Sequence, residues 1–375
     1  MDFGFTSEQE MLRRSFADFL KKECSPDLVR QFWNDEKGYS EAIWKKMARL
    51  GWLGLIYDGK YGGSSGSFLD LFILFEEIGK VLLPSPFFTS AVLAGLIIAE
   101  AGDERLKKAY LPAIISGKKI LTLALMDEQC RYDHHSPRIK AAMAEGGKYL
   151  LDGTRLLVPY ANAADEILLC ANLKNGCTGP TIFRIKSKSP GLIYTPLKTI
   201  YGENKFGIQF NGVEAADETI IGAKGQGAAY IETVLPRAVL LKCAEMLGGM
   251  KHVVDSTVAY ARQRHQFGRP LGVFQAVQHH CVDMTTYYEG SRLSAYQAAS
   301  LFSENIPCAK ETAMAKAWCS ESYKKCTWIA QQIHGGIGFT EEYHLQLYFK
   351  HAKEAELSFG DARYHRNIVA AEMGL

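Results

Sequence analysis

The sequence predicts an α+β protein: an N-terminal helical domain over residues 1–118, a β-barrel-like middle domain over 119–224, and a C-terminal four-helix bundle over 225–375. Three observations carry that division. Apolar residues recur at spacings of three and four towards both ends of the chain, while short apolar or β-branched runs bounded by turn residues fill the middle. Two glycine-bearing stretches, Arg264-His265-Gln266-Phe267-Gly268-Arg269-Pro270 and Gln332-Ile333-His334-Gly335-Gly336-Ile337-Gly338-Phe339, stand beside the long C-terminal helices.

The first helix is announced by Thr6-Ser7 ahead of Gln9 and Glu10, a capping-box pattern before Met11, Phe16 and Phe19. Helical stretches run on to about residue 118, broken at Tyr61-Gly62-Gly63-Ser64-Ser65-Gly66 and at Pro84-Ser85-Pro86, where glycine admits positive φ and proline cannot continue a helix. In the middle domain, strands are expected at Ile120 to Met126, Tyr149 to Leu151, Leu156 to Val158, Glu166 to Cys170, Thr181 to Ile185 and Gly207 to Phe210. Asp152-Gly153, Asn175-Gly176 and Asn211-Gly212 supply turn chemistry between them. Leu240, Ala244, Leu247, Met250, Val254, Thr257 and Ala261 mark one long helix, and Val277, Cys281, Met284, Tyr288, Ser291, Ala295, Ala298 and Phe302 a second, so an antiparallel bundle follows.

The chain has 375 residues, 47% of them hydrophobic and 22% charged, which is ordinary for a globular protein with a large core. A formal net charge of +2 offers no electrostatic case for nucleic acid or an anionic membrane. No signal peptide is evident, and no apolar run reaches the roughly 18 residues that span a bilayer. The nine cysteines form no CxxC pair, so reduced thiols in a cytoplasmic setting are expected. Cys319 and Cys326 share a helix face without a histidine at ligand spacing and are expected to be core thiols, with no metal site.

The two glycine stretches suit a bound diphosphate, since glycine lets backbone approach and a guanidinium or amide donates. Together, in this order, they resemble the flavin-binding segments of the acyl-CoA dehydrogenases. The likeness covers essentially the whole chain, including Asp2-Phe3 with Thr6-Ser7-Glu8-Gln9 and the Tyr61-Gly62-Gly63 loop. The segment from Gly153 to Ala161, followed by Ala164-Asp165, looks most like the bacterial branch that handles bulky acyl groups. The resemblance implies FAD held between the sheet domain and the bundle, with Arg264 on the diphosphate and Phe267 beside the adenosine. Gln332, Gly335 and Gly336 would meet the diphosphate from a partner chain in a homotetramer, or in a heterotetramer with a related subunit. Met126 stands where a hydroxyl usually touches the flavin, Leu157 where a tryptophan often shields it, and Pro159 follows on the same strand. Arg131, Tyr132, Arg237 and Phe359 would line the acyl pocket. Electrons would pass to an electron-transferring flavoprotein.

The resemblance breaks at the proton acceptor. Dehydrogenation at Cα–Cβ of an acyl thioester needs a base for the α-proton while the flavin takes hydride. The family keeps a glutamate at one of two places, and here Phe359 and Ala238 occupy them. Three readings stay open. A relocated carboxylate could serve, with Asp361 the first candidate, although that residue reads first as the N-cap of the last helix, Ala362 to Met373. Glu356 reads as a solvated face, and Asp127 and Glu128 are further carboxylates. Alternatively the reaction is an elimination, such as desulfination, that needs no strong base, or another subunit supplies it. A flavin-holding scaffold is the expectation if no chemistry remains.

Overall fold

The computed structural model describes residues 5–129, 135–173 and 179–375. The chain divides into two compact units: one formed by the chain up to Arg30, Ser67–Leu83 and Val239–Leu375, the other by Gln31–Gly66 and Pro84–Ala238.

Helices α1 (Ser7–Glu23), α2 (Pro26–Trp33), α3 (Glu41–Arg49), α4 (Phe68–Val81), α5 (Gly95–Ala101) and α6 (Glu104–Ile115) precede the strands. Thr6 and Gln9 form the expected capping box on α1, and Ser67 with Asp70 forms another on α4. In the first unit Arg13 ties α1 to α4 through Glu77 at 3.0 Å and Glu76 at 3.3 Å, both carboxylates being buried. A Cβ at Gly248 would lie 1.9 Å from the Glu76 carbonyl, so glycine is what lets two backbones meet there.

The second unit carries a mixed sheet: β1 (Leu121–Ala124), β2 (Lys140–Met143), β3 (Tyr149–Pro159), β4 (Glu166–Leu173), β5 (Thr181–Lys186), β6 (Leu192–Leu197), β7 (Lys205–Ala215) and β8 (Ile220–Ile221). Among the described residues these eight strands run in the order β6-β7-β3-β2-β4-β5-β8, with β1 parallel to β4. Ile139, Leu151, Ile167, Leu169, Phe183, Ile208, Phe210 and Val213 form its core. The runs at Tyr149 and Leu156 are one strand, not two, because Asp152-Gly153 bends the ladder by a register shift without reversing the chain. Strands β2 and β6 lack the apolar run that marks the others; β6 is an edge strand with Pro196 and alternate residues exposed.

One segment that sequence periodicity reads as ordinary helix is different. Phe88–Ala94 is a π-helical turn running straight into α5. Its wider coil is stabilised by Tyr57, whose hydroxyl donates to the Ala91 carbonyl, and by Ser90, whose hydroxyl accepts from Leu121 N–H at 3.1 Å.

The chain ends in helices α7 (Gly227–Gln263), α8 (Gln275–Ser303), α9 (Ala309–His334), α10 (Leu345–Leu357) and α11 (Ala362–Glu372), with a small hairpin, β9 (His265–Gln266) and β10 (Arg269–Pro270), after α7. Cys319 and Cys326 lie fully buried on α9 as free thiols, donating to the Ser291 and Met284 carbonyls. Burial pushes the Cys326 thiol up to about 12. Among the described residues no group of histidine, cysteine and carboxylate side chains could hold a metal, and no helix is long and apolar enough to cross a membrane.

Candidate active site

The two glycine stretches occupy neighbouring helix ends in the first unit. Tyr260, on the last turn of α7, stacks on His334, the last residue of α9, at 4.2 Å between ring centroids. Its hydroxyl also donates to the His334 carbonyl at 3.4 Å. Arg264 follows directly on α7, and its exposed guanidinium has no hydrogen bond or ion pair among the described residues. Beyond it, Phe267 (φ +53) and Gly268 (φ +77) close the β9–β10 hairpin as a two-residue turn with both residues left-handed. That geometry turns the Phe267 ring outwards, 90% exposed and edge-on to Phe274 at 6.0 Å between ring centroids.

At the end of α9, Gln332 is exposed and Gly335 (φ +65) terminates the helix, its N–H donating to the Gln331 carbonyl. The glycines then divide into two kinds. A Cβ at Gly338 would sit 2.3 Å from Gln331 Oε1 and 3.2 Å from His334 Cβ, so packing within the chain crowds that position. A Cβ at Gly335 or Gly336 would meet nothing within 4 Å. Gly335 is explained by its backbone angle, but intramolecular packing gives no reason for Gly336. Open backbone, an uncommitted guanidinium and an exposed amide are the kinds of group that an external anion needs.

In the second unit, Met126 bridges to Leu156, whose N–H donates to the Met126 carbonyl at 3.0 Å. The register shift between Arg155 and Val158 leaves Leu157 left-handed (φ +53) and 36% exposed, so the bulge turns an apolar side chain outwards. The Pro159 carbonyl accepts from Thr122 Oγ1 at 2.7 Å, which fixes the end of β3. Arg237 is engaged with Glu100 at 2.9 Å. Ala238 is buried on α7 and carries no proton acceptor. Asp127 is buried and accepts from Gln129 N–H at 2.9 Å, a local turn cap. Arg131 and Tyr132 lie outside the described residues.

The segment around Phe359 belongs to the first unit. Phe359 is left-handed (φ +56), as is Gly360 (φ +101). Asp361 caps α11, its Oδ1 accepting from Tyr364 N–H at 2.8 Å. Glu356 corrects the expectation of a solvated carboxylate: it is buried and holds two lysines, Lys324 at 2.7 Å and Lys353 at 2.9 Å. Burial works to raise its carboxyl, but the bonds from those lysines win and hold it below the usual range. Two residues that sequence reasoning missed surround this turn. Lys316, fully buried on α9, donates to Ser320 Oγ (3.0 Å), the Glu356 carbonyl (3.0 Å) and the Gly360 carbonyl (2.8 Å). Burial pulls its ammonium down to about 8. His365 Nε2 lies 2.9 Å from the Phe359 carbonyl, and because a carbonyl only accepts, the ring hydrogen is on Nε2. The available signal was a lysine in phase with Ala313, Ala317 and Ser320 on the buried face of α9.

Comparison with known proteins fits this arrangement. The profile described as acyl-CoA dehydrogenase, N-terminal domain, matches residues 6–118, and that described as acyl-CoA dehydrogenase, C-terminal domain, matches residues 225–374. The chain is 27% identical to the caffeyl-CoA reductase-Etf complex subunit CarC of Acetobacterium woodii, over 98% of both chains. Among solved structures it is similar to the ChsE4-ChsE5 complex from Mycobacterium tuberculosis, with TM-score 0.90, 27% identity and coverage of 100% and 99%. The Tcur3481-Tcur3483 steroid ACAD is also similar, with TM-score 0.86, 27% identity and 98% of each chain covered. The chain belongs to the acyl-CoA dehydrogenase family, a family of FAD-dependent oxidoreductases. The residues present fit that cofactor: Arg264, Gln332 and the open backbone at Gly335-Gly336 suit its diphosphate, and the outward Phe267 suits an aromatic ring.

Proposed function

We propose that the protein is an FAD-dependent acyl-CoA dehydrogenase acting at Cα–Cβ of a bulky, cyclic or dicarboxylic acyl thioester and exchanging electrons with an electron-transferring flavoprotein. The observation that carries the reading is that the ends of α7 and α9 offer an unpaired guanidinium at Arg264, an exposed amide at Gln332 and unfilled backbone at Gly335-Gly336. FAD, when bound, supplies the acceptor for hydride. Arg264 would hold its diphosphate, with Gln332, Gly335 and Gly336 meeting it from a partner chain; Leu157 and Pro159 would shield the ring, and Met126 would contribute its backbone. Arg131, Tyr132, Arg237 and Phe359 would shape the acyl pocket. The bulky-acyl part is supported by the segment Gly153 to Ala161 and by likeness to a protein called a steroid ACAD. The electron partner is supported by likeness to a protein named as part of an Etf complex.

A second reading concerns the base. Phe359 and Ala238 cannot accept a proton, Asp361 caps a helix and Glu356 is held by two lysines. That favours a related subunit supplying the acceptor in a heterotetramer, and a solved relative carries two protein names in its title. A non-oxidative elimination such as desulfination is the other route that dispenses with a base. A cytoplasmic setting goes with the free thiols. The test is anaerobic titration of the purified yellow protein with a panel of acyl-CoA thioesters. Bleaching of the flavin by one class names the substrate. No bleaching, together with sulfite release from a sulfinylated acyl-CoA whose thioester stays intact, replaces dehydrogenation with elimination. Sedimentation of the chain alone decides between a homotetramer and dependence on a second subunit.

A further inference from the structure

The backbone of the turn that carries Phe359 is held by Lys316, His365 and Asp361. Lys316 has three N–H donors and three acceptors: Ser320 Oγ, the Glu356 carbonyl and the Gly360 carbonyl. It therefore closes the segment from both sides of residue 359. His365 Nε2 holds the carbonyl of residue 359 itself. Asp361 anchors the next residue by capping α11, and Gly360 admits no side chain, since a Cβ there would lie 2.3 Å from Tyr364 Cδ1. A left-handed aromatic residue costs about 1 kcal/mol or more and persists only where its surroundings over-determine it. Here they do, and every restraint named acts on backbone.

We infer that Lys316 and His365 are positioning residues whose work is to fix the Phe359–Gly360 turn, so that residue 359 presents its side chain in one direction whatever that side chain is. The chain thus keeps the seat of a proton acceptor while filling it with a phenyl ring. The inference rests on reading position 359 as the one that faces the acyl thioester.

The experiment uses the full-length, flavin-loaded protein and follows exchange of the acyl α-hydrogen with deuterium oxide by NMR. Phe359→Glu is expected to raise exchange about 10²-fold, the low end of what a positioned acceptor contributes. Adding Lys316→Met or His365→Leu is expected to abolish the gain, while His365→Gln, which keeps an N–H donor, retains most of it. A merely structural role would not separate leucine from glutamine at 365 when flavin content is equal. In the phenylalanine background, Lys316→Met is expected to speed amide hydrogen exchange over residues 358–361 roughly tenfold. Unchanged protection there overturns the clamp however the glutamate variants fold. If Phe359→Glu binds flavin and its spectrum responds to thioester, yet no exchange appears, the inference is wrong and the proposed function stands. If the wild-type protein takes up no flavin and gives no response to thioester, both fall together.

Discussion

The ends of α7 and α9 and the turn at Phe359 are built on opposite principles within the same unit. At the helix ends, Arg264, Gln332 and Phe267 face outwards with little to hold them, and Gly336 leaves room that no side chain of the chain fills. At the turn, the groups that hold residue 359 are engaged from inside: Lys316 is saturated, Glu356 carries two lysines, Asp361 is a cap and His365 Nε2 is spent on a carbonyl, with its Nδ1 left unpartnered. An open set of donors is a surface waiting for a ligand. A closed set is a frame, and it can outlast the residue it was built to aim.

The comparison is broken most directly at the open end. Arg264→Ala removes a guanidinium that the chain itself does not use, so unfolding should be unchanged within about 0.5 kcal/mol. Its loss from a charged diphosphate contact is worth about 1.5–3 kcal/mol, or roughly ten- to a hundredfold in FAD affinity. Equilibrium dialysis of the apoprotein against FAD reads this, and full occupancy in the variant removes Arg264 from the site. Gly336→Val sharpens the same point with a somewhat smaller effect. The added methyls meet open space in the free chain, so the denaturation midpoint should hold while FAD affinity drops about tenfold or more. A fall in stability with unchanged affinity would mean that Gly336 serves the fold after all.

Why one region was readable from sequence and the other was not follows from this contrast. Arg264, Phe267, Gln332 and Gly335-Gly336 are contiguous motif residues, and their chemistry is local, so a linear reading finds them. The helix periods behind α7 and α8, and the Thr6–Gln9 capping box, are equally local and were legible. The clamp joins Lys316 to Gly360 and His365 to Phe359 across helix packing, and nothing in the spacing of those residues announces it. The same limit hid the π-helical turn, whose stabilising hydroxyl comes from Tyr57, and made Glu356 read as solvated when two lysines bury it. The short β2 and the edge strand β6 were missed because half-exposed strands carry little apolar signal.

A third effect, of a few kcal/mol, comes from protons on two buried histidines, His365 beside the turn and His252 on α7. Burial, with the Lys316 charge adding to it, pulls His365 down to about 4, and burial with His344 does the same to His252. His365 Nδ1 and His252 Nε2 are both buried without a hydrogen-bond partner. Each histidine is therefore neutral in the folded chain and titrates near 6.5 when unfolded. The unfolded state binds more protons between those values, so stability present above about pH 6.5 is lost as pH falls towards 4. The loss is of the order of 3 kcal/mol for each histidine at the acid limit. Urea midpoints at pH 7 and pH 5 measure it. His252→Phe should keep the stack on Tyr348, whose ring lies 4.3 Å away, and flatten about half of the slope. An unaltered slope would place the acid sensitivity elsewhere. At the helix ends burial also holds His334 below its ordinary value, with Nε2 left without a partner, so flavin binding should weaken on acidification together with the fold.

The smallest effect is expected at Asp361, and it decides what kind of residue this is. As a cap its Oδ1 accepts from Tyr364 N–H at 2.8 Å, a task asparagine performs nearly as well. Asp361→Asn should therefore cost only a few tenths of a kcal/mol, whereas Asp361→Ala should cost about 1 kcal/mol. A relocated base predicts a different pattern: the amide cannot accept the proton, so Asp361→Asn would lose flavin reduction while remaining folded. The two variants are to be compared in the same thioester titration and the same urea series. If reduction tracks stability through both, Asp361 belongs to the frame that holds position 359. If asparagine silences reduction with the fold intact, the acceptor was moved two residues along the chain, and the phenylalanine took the seat because it had been left empty.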